Sequence, residues 1–331
     1  MQRRQFITLL SGAAMSVSRA ATAQSPAGRL PRIGVLMAHA ETDPDSQVRV
    51  AAFRDGLLKL GWIDNRTVRI DTRWATDDIE RIQRAAQELV ASQPDLILSA
   101  DTPTTKALLR YTHTIPIVFA TVVDPVGYGF VASLARPGGN ATGFINLEGS
   151  IAGKWLQLLK EVAPRISRAA FLFNPPTTPS VEIFLDSFRT AAASLAVEAA
   201  VVPVDDSAGL ETAIVAHART SGGGLVLTPS PFMNKRSAQI ITLAARFGLP
   251  AVYPFRYYAE AGGLLSYGND QADNYRRAAD YADRILKGSK PGELPVQAPV
   301  KFELTVNLKT AKALGLDVSR ALLQQAETLI E

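Results

Sequence analysis

The chain has 331 residues, 47% hydrophobic and 20% charged, a composition that belongs to a compact globular protein and excludes disordered and fibrous classes. No cysteine is present, so neither a disulfide framework nor a lipid-bearing N-terminal cysteine is available. The formal net charge of +4 falls to +1 once the three arginines of the first 23 residues are set aside, which leaves no electrostatic reason to invoke nucleic acid.

Residues 1–23 read as a removable export signal. Arg3 and Arg4 give a basic start, Thr8 to Val17 form a short apolar run diluted by Ser11, Gly12 and Ser16, and Ala21-Thr22-Ala23 supplies a small-x-small cleavage site before Gln24. The arginine pair followed by Phe6 and Ile7 resembles a twin-arginine signal, which is favoured over the general secretory route. A membrane span needs ~20 apolar residues, about twice this run. The expected mature protein is therefore periplasmic, unlipidated and not inserted in the membrane, with residues 24–31 as a linker. Its 308 residues exceed what one hydrophobic core usually serves and suit two lobes.

From Arg32 onward a short apolar strand, a polar turn and an amphipathic helix recur. Strands are predicted over 32–37, 67–74, 95–99 and 117–120, with helices over 47–60, 79–92 and 103–111 between them. The stretch from Thr67 to Trp74 alternates apolar and charged residues, as an outer strand with one wet face does. Seven glycines and prolines between Asp124 and Gly143 mark a loop-rich crossing. The rhythm then restarts. Helices are predicted over 151–162, 181–195, 210–219 and 234–247, and strands over 169–173, 198–203, 224–228 and 250–253. A strand over 262–267, a helix over 271–286, an edge strand over 302–307 and a helix from Lys309 to Leu314 close the chain. The expected fold class is α/β, with two doubly wound, Rossmann-like lobes joined by a multi-strand hinge. Lobe 1 is assigned residues 32–143 plus about 268–295, and lobe 2 residues 144–267 plus about 296–331.

Four runs then carry a resemblance: Asp124-Pro125-Val126; Leu134 to Gly143; Glu260 to Gly268; and the tail Lys301 to Leu304 with Asn307 to Leu316. In this order they resemble the type I periplasmic binding proteins of ABC transporters, in the branch that includes tryptophan and tyrosine binders. The resemblance covers nearly the whole mature chain. It implies capture of a small molecule, an amino acid or related carboxylate, by hinge closure. It also implies a monomer that delivers its ligand to an inner-membrane permease and its ATPase and that needs no cofactor. A ligand-presenting partner of a membrane receptor is the alternative reading.

Candidate ligand-binding residues follow the carboxyl ends of predicted strands. Thr102, read as a helix N-cap, and Thr104 offer hydroxyls and free helix amides to a carboxylate. Asp124 is a candidate counter-ion for an ammonium group, although Pro125 favours a turn role. Asn174, Phe232, Tyr257, Tyr258 and Glu260 are the candidates on lobe 2, with Glu260 as the preferred ammonium partner. His39, His113 and His217 are isolated along the chain, and no Walker loop, dinucleotide fingerprint or nucleophile elbow is present. An enzyme is therefore not expected, save one built from a cleft pair such as Asp124 and Glu260. A regulator would need a DNA-binding module ahead of lobe 1, where only the signal and linker stand.

Overall fold

The computed structural model describes residues 29–178 and 181–331, so the expected signal sequence and most of the linker lie outside the described residues. The first lobe is built from β1 (Arg32–Met37), α1 (Pro44–Lys59), β2 (Arg69–Trp74), α2 (Ile79–Ala91), β3 (Leu96–Asp101), α3 (Thr102–Tyr111), β4 (Ile117–Val122) and β5 (Ala141–Ile145). Its five strands run in the order β2-β1-β3-β4-β5, all parallel. The interior strands β3 and β4 are buried along their whole length, because helices cover both faces of the sheet. β2, at the sheet's edge, is half exposed, in keeping with its alternating sequence.

The second lobe follows with α4 (Ile151–Val162), β6 (Arg168–Phe173), α5 (Val181–Ser194), β7 (Glu198–Pro203), α6 (Ser207–Ala218), β8 (Gly223–Leu227), α7 (Pro231–Lys235), α8 (Ser237–Arg246), β9 (Ala251–Tyr253), α9 (Arg256–Glu260) and β10 (Leu265–Asn269). The chain then recrosses. α10 (Gln271–Leu286) returns to the first lobe, where Tyr275, Ala278, Ala279 and Ala282 join Phe53 and Leu57 of α1 in one core. Gly56 permits this approach, since a Cβ there would stand 2.7 Å from that of Ala279. Finally β11 (Phe302–Asn307), α11 (Leu308–Ala313), α12 (Arg320–Gln325) and β12 (Thr328–Ile330) complete the second lobe. Its seven-stranded sheet has the order β12-β11-β10-β9-β8-β6-β7, with the β10/β11 pair antiparallel. Two hydrophobic clusters back the two faces of the first sheet, and a larger one fills the second lobe.

Two doubly wound α/β lobes joined by several crossings are thus what the chain forms. The expected boundaries shift, however. The division after Gly143 falls inside β5, which pairs with β4 as far as Ile145. The division at residue 268 falls inside β10, and Gln297 is still bridged to Phe144 of the first lobe. The crossings therefore lie at 146–150, at Asp270 and after Gln297, and Gln271 Nε2 donates to Asn146 Oδ1 (3.2 Å) to tie the first two together. The strand read as an edge, β11, is interior, because the short β12 pairs with its outer side.

Candidate functional site

A cavity lies between the lobes at the carboxyl ends of the first sheet's strands, with about 500 Å³ of empty space counted out to the open solvent. Its walls come from segments distant in the chain. Lobe 1 supplies His39, Arg49, Asp101, Thr102, Thr121 and Val123. Lobe 2 supplies Thr177, Thr178, Phe184, Ser230, Asn234 and Phe255, and the crossings add Asn146 and Gln271. This is where open α/β sheets place ligands, since strand ends and helix starts converge there.

Asp101 ends β3 and caps α3. Its Oδ1 accepts from the Thr104 amide (3.1 Å) and the Thr104 hydroxyl (3.0 Å), while the buried Oδ2 has no partner among the described residues. Burial raises its pKa, opposed by the Thr104 hydrogen bonds and by Arg49. With one oxygen held and the other buried without a partner, Asp101 brings an unsatisfied acceptor to the cavity lining, where a cationic group could pair with it.

Arg49 is buried on α1, 4% exposed. Its guanidinium donates to Asp45 O (3.1 Å), Gln271 Oε1 (3.0 Å) and Ser46 Oγ (3.1 Å), which fixes the group at the cavity wall. His39 follows β1. Its Nε2 lies 3.4 Å from Asn234 Nδ2 across the cleft, and its Nδ1 has no partner among the described residues. Burial, and next the nearby Arg49, lower its pKa to about 3, so the ring is neutral. Thr178 brings a third buried, unpartnered group, its hydroxyl. Phe184 and Phe255 provide flat apolar walls. A cation, a carboxylate, hydroxyls and two aromatic faces match a small zwitterion with an apolar side chain.

Of the residues singled out in the sequence, Thr102 lines this cavity, and its hydroxyl accepts from the Val123 amide (3.0 Å). It is the first helical residue, and the N-cap is Asp101. Thr104 turns inward, to Asp101 and to Ser99 Oγ (2.8 Å). Asp124 stands outside the cavity in a tight turn, with φ +48° and Oδ1 accepting from the Gly127 amide. Asn174 is a turn residue, donating to Val204 O and accepting from Thr177, which it presents to the cavity. Tyr258 is buried and donates to Asn234 Oδ1 (3.0 Å), so it orients a cavity residue from behind. Phe232 is buried beside the cleft rim. Tyr257 and Glu260 line a neighbouring pocket, where the exposed Glu260 is engaged by Arg256 (2.7 Å).

Sequence reasoning missed Arg49, Asp101 and His39. Arg49 falls on the stripe formed by Ser46, Val50, Phe53 and Leu57, and a charge on the apolar face of a helix was the available signal. Asp101, with Pro103 two places after it, carried a capping signature one residue earlier than the one chosen. His39 offered no local signal. Among the described residues, no group of three or more His, Cys, Asp or Glu side chains comes together to hold a metal ion. Nor is any helix there long and apolar enough to cross a membrane.

Comparison with known proteins agrees with this two-lobed fold. A tyrosine-binding protein of Clostridioides difficile is 26% identical over 288 residues, spanning 86% of this chain and 80% of that protein. A conserved domain protein from Vibrio cholerae superposes with a TM-score of 0.84 at 26% identity, covering 91% of this chain and all of that one. An ABC domain from Streptococcus pneumonia, solved in complex with L-Trp, also reaches a TM-score of 0.84, at 23% identity with the same coverage. The family described as ABC transporter substrate binding protein matches residues 36–330, and the chain belongs to that family.

Proposed function

We propose that this protein is the extracytoplasmic ligand-capturing component of an ABC importer and that its ligand is an amino acid with an apolar, preferably aromatic, side chain. The observation that carries the reading is the convergence of unpartnered buried groups, Asp101 Oδ2, His39 Nδ1 and the Thr178 hydroxyl, on a cavity walled by both lobes. Buried polar atoms without partners are costly, at about 1–3 kcal/mol each, so a fold that keeps several around one cavity has a ligand or ordered water to satisfy them. Asp101 would receive the ammonium group and Arg49 the carboxylate, while Phe184 and Phe255 would enclose the side chain. The tyrosine-binding relative and the L-Trp complex support this class of ligand. Binding joins the lobes and shifts the population toward the closed form, which the permease then reads.

Titration calorimetry of the mature protein with L-Trp, L-Tyr and other amino acids tests the proposal, with L-Trp or L-Tyr expected to bind and Asp101→Asn to weaken that binding by about 2 kcal/mol. Asn remains a good N-cap, so folding stability should hardly change. Failure of every amino acid to bind the parent, or undiminished affinity in Asp101→Asn, would overturn it.

A further inference from the structure

One carboxylate at the cleft rim joins the two lobes. Asp77 lies in the loop between β2 and α2 of the first lobe, its side chain 10% exposed. Its Oδ1 accepts from Lys235 Nζ (2.6 Å) and its Oδ2 from Arg236 Nη1 (2.8 Å), both at the junction of α7 and α8 in the second lobe. Among the described residues these are the only ion pairs that span the lobes. They lie outside the ligand cavity, along an open groove beside it.

The receiving side is built in advance. Arg236 Nε donates to Ser207 Oγ (2.8 Å), Nη1 also donates to Phe232 O (3.2 Å), and the guanidinium carbon sits 3.7 Å from the centre of the Phe232 ring. All these partners belong to the second lobe, so the guanidinium keeps its place when the lobes separate and loses little entropy on meeting Asp77. Burial opposes ionisation of Asp77, yet the hydrogen bonds from Arg236 and Lys235 outweigh it and hold its pKa below the usual carboxylate value. Asp78, the next residue, is occupied with capping α2 and pairing with Arg81, so it does not substitute for Asp77.

We propose that Asp77 is a latch: a positioning residue that sets ligand affinity by stabilising the closed lobes without touching the ligand. This rests on the reading of the protein as a hinged binding protein. Apparent affinity scales with the fraction of molecules in the binding-competent state. A bond made only on closure therefore raises affinity, and it does so chiefly by slowing ligand release. The latch is also graded. Lys235 is 56% exposed and contributes little, whereas Arg236 is 17% exposed and carries most of the effect.

The experiment reads the lobes directly. Because the chain lacks cysteine, exposed Glu88 on the first lobe and Glu211 on the second can be changed to Cys for spin or fluorophore labels. Distances are then measured without ligand in the otherwise unchanged protein, in Asp77→Asn and in Asp77→Glu. The latch requires that Asp77→Asn loses short-distance population and that Asp77→Glu regains part of it. With L-Trp as probe, Asp77→Asn should bind about tenfold more weakly, equivalent to 1.4 kcal/mol, with the change in the dissociation rate. Unchanged distances in Asp77→Asn overturn the latch whether or not L-Trp binds. Absence of L-Trp and L-Tyr binding to the parent counts against the ligand reading alone, because the distance measurement still decides the latch.

Discussion

At the scale of single residues, the division of labour is between groups that face the cavity and groups that hold them there. Glu260, the ammonium partner expected from sequence, is exposed and engaged by Arg256, whereas Asp101 faces the cavity with one free oxygen. Glu260→Gln should therefore bind an amino-acid ligand as the parent does, and a tenfold loss by calorimetry would return Glu260 to the site. The titrating groups add a second test. His39, with its pKa lowered to about 3, stays neutral in the fold while an unfolded chain takes up a proton below about 6.5. The unfolded state thus binds more protons between those values, and stability falls as the pH drops through that window. Asp45 acts in the opposite sense, because burial, with Asp43 and Glu260 adding to it, raises its pKa to about 6 against the pull of Arg49. Its folded form holds a proton that the unfolded chain has released, and it stabilises as the pH falls from about 6. Between pH 7 and 4, His39→Gln should lose less stability than the parent and Asp45→Asn more, read as urea midpoints. Equal slopes in all three proteins would contradict the assignments.

At the scale of elements, apolar periodicity located most of the structure and turn-rich stretches hid the rest. The helix over Ile151–Val162 and the strand over Glu198–Pro203 coincide with the sequence expectation, since each is bounded by polar or turn-forming residues and carries a clear period. β5 was absorbed into the glycine-rich loop because small residues in Ala141-Thr142-Gly143 give no apolar signal, and its pairing with β4 is what makes it a strand. Gly143 has φ +150°, and a Cβ there would collide with the carbonyl oxygen of Phe119. Gly143→Ala should cost on the order of 2–3 kcal/mol, seen as a lower denaturation midpoint. A midpoint like the parent's would mean that β5 yields without cost. The predicted helix over 234–247 divides at Arg236, whose ψ of 14° turns the chain where the side chain reaches Asp77.

At the scale of the whole molecule, the crossings at 146–150, at Asp270 and after Gln297 form a narrow band, with Gln271 and Asn146 hydrogen-bonded inside it, about which the closure of the proposed function would turn. Ligand binding should then shrink the radius of gyration in X-ray scattering, and an unchanged radius at saturation would argue against a hinge. Export belongs to this scale as well. The arginine pair at positions 3 and 4 and Ala21-Thr22-Ala23 lead to a mature N-terminus at Gln24, to be read by N-terminal sequencing of the secreted protein. Retention of residues 1–23 in the mature form would reject that reading.

The sequence by itself determined the alternation of strands and helices and the two-lobed α/β class, because these follow from periodicity and turn chemistry that act within about a dozen residues, while the family was legible only through the resemblance carried by the four runs from Asp124 to Leu316. It also singled out Thr102, at a strand end that lines the interlobe cavity. Only the tertiary structure decided which polar side chains meet. Arg49, Asp101, Thr178 and Asn234 come from four separate elements and loops, and no local rule sets the distance between them. The same holds for Asp77 and Arg236, 159 residues apart. Three of the candidates, Thr104, Asp124 and Asn174, found a backbone or hydroxyl partner within four residues, and such short-range hydrogen bonds form before a cleft exists to compete for them.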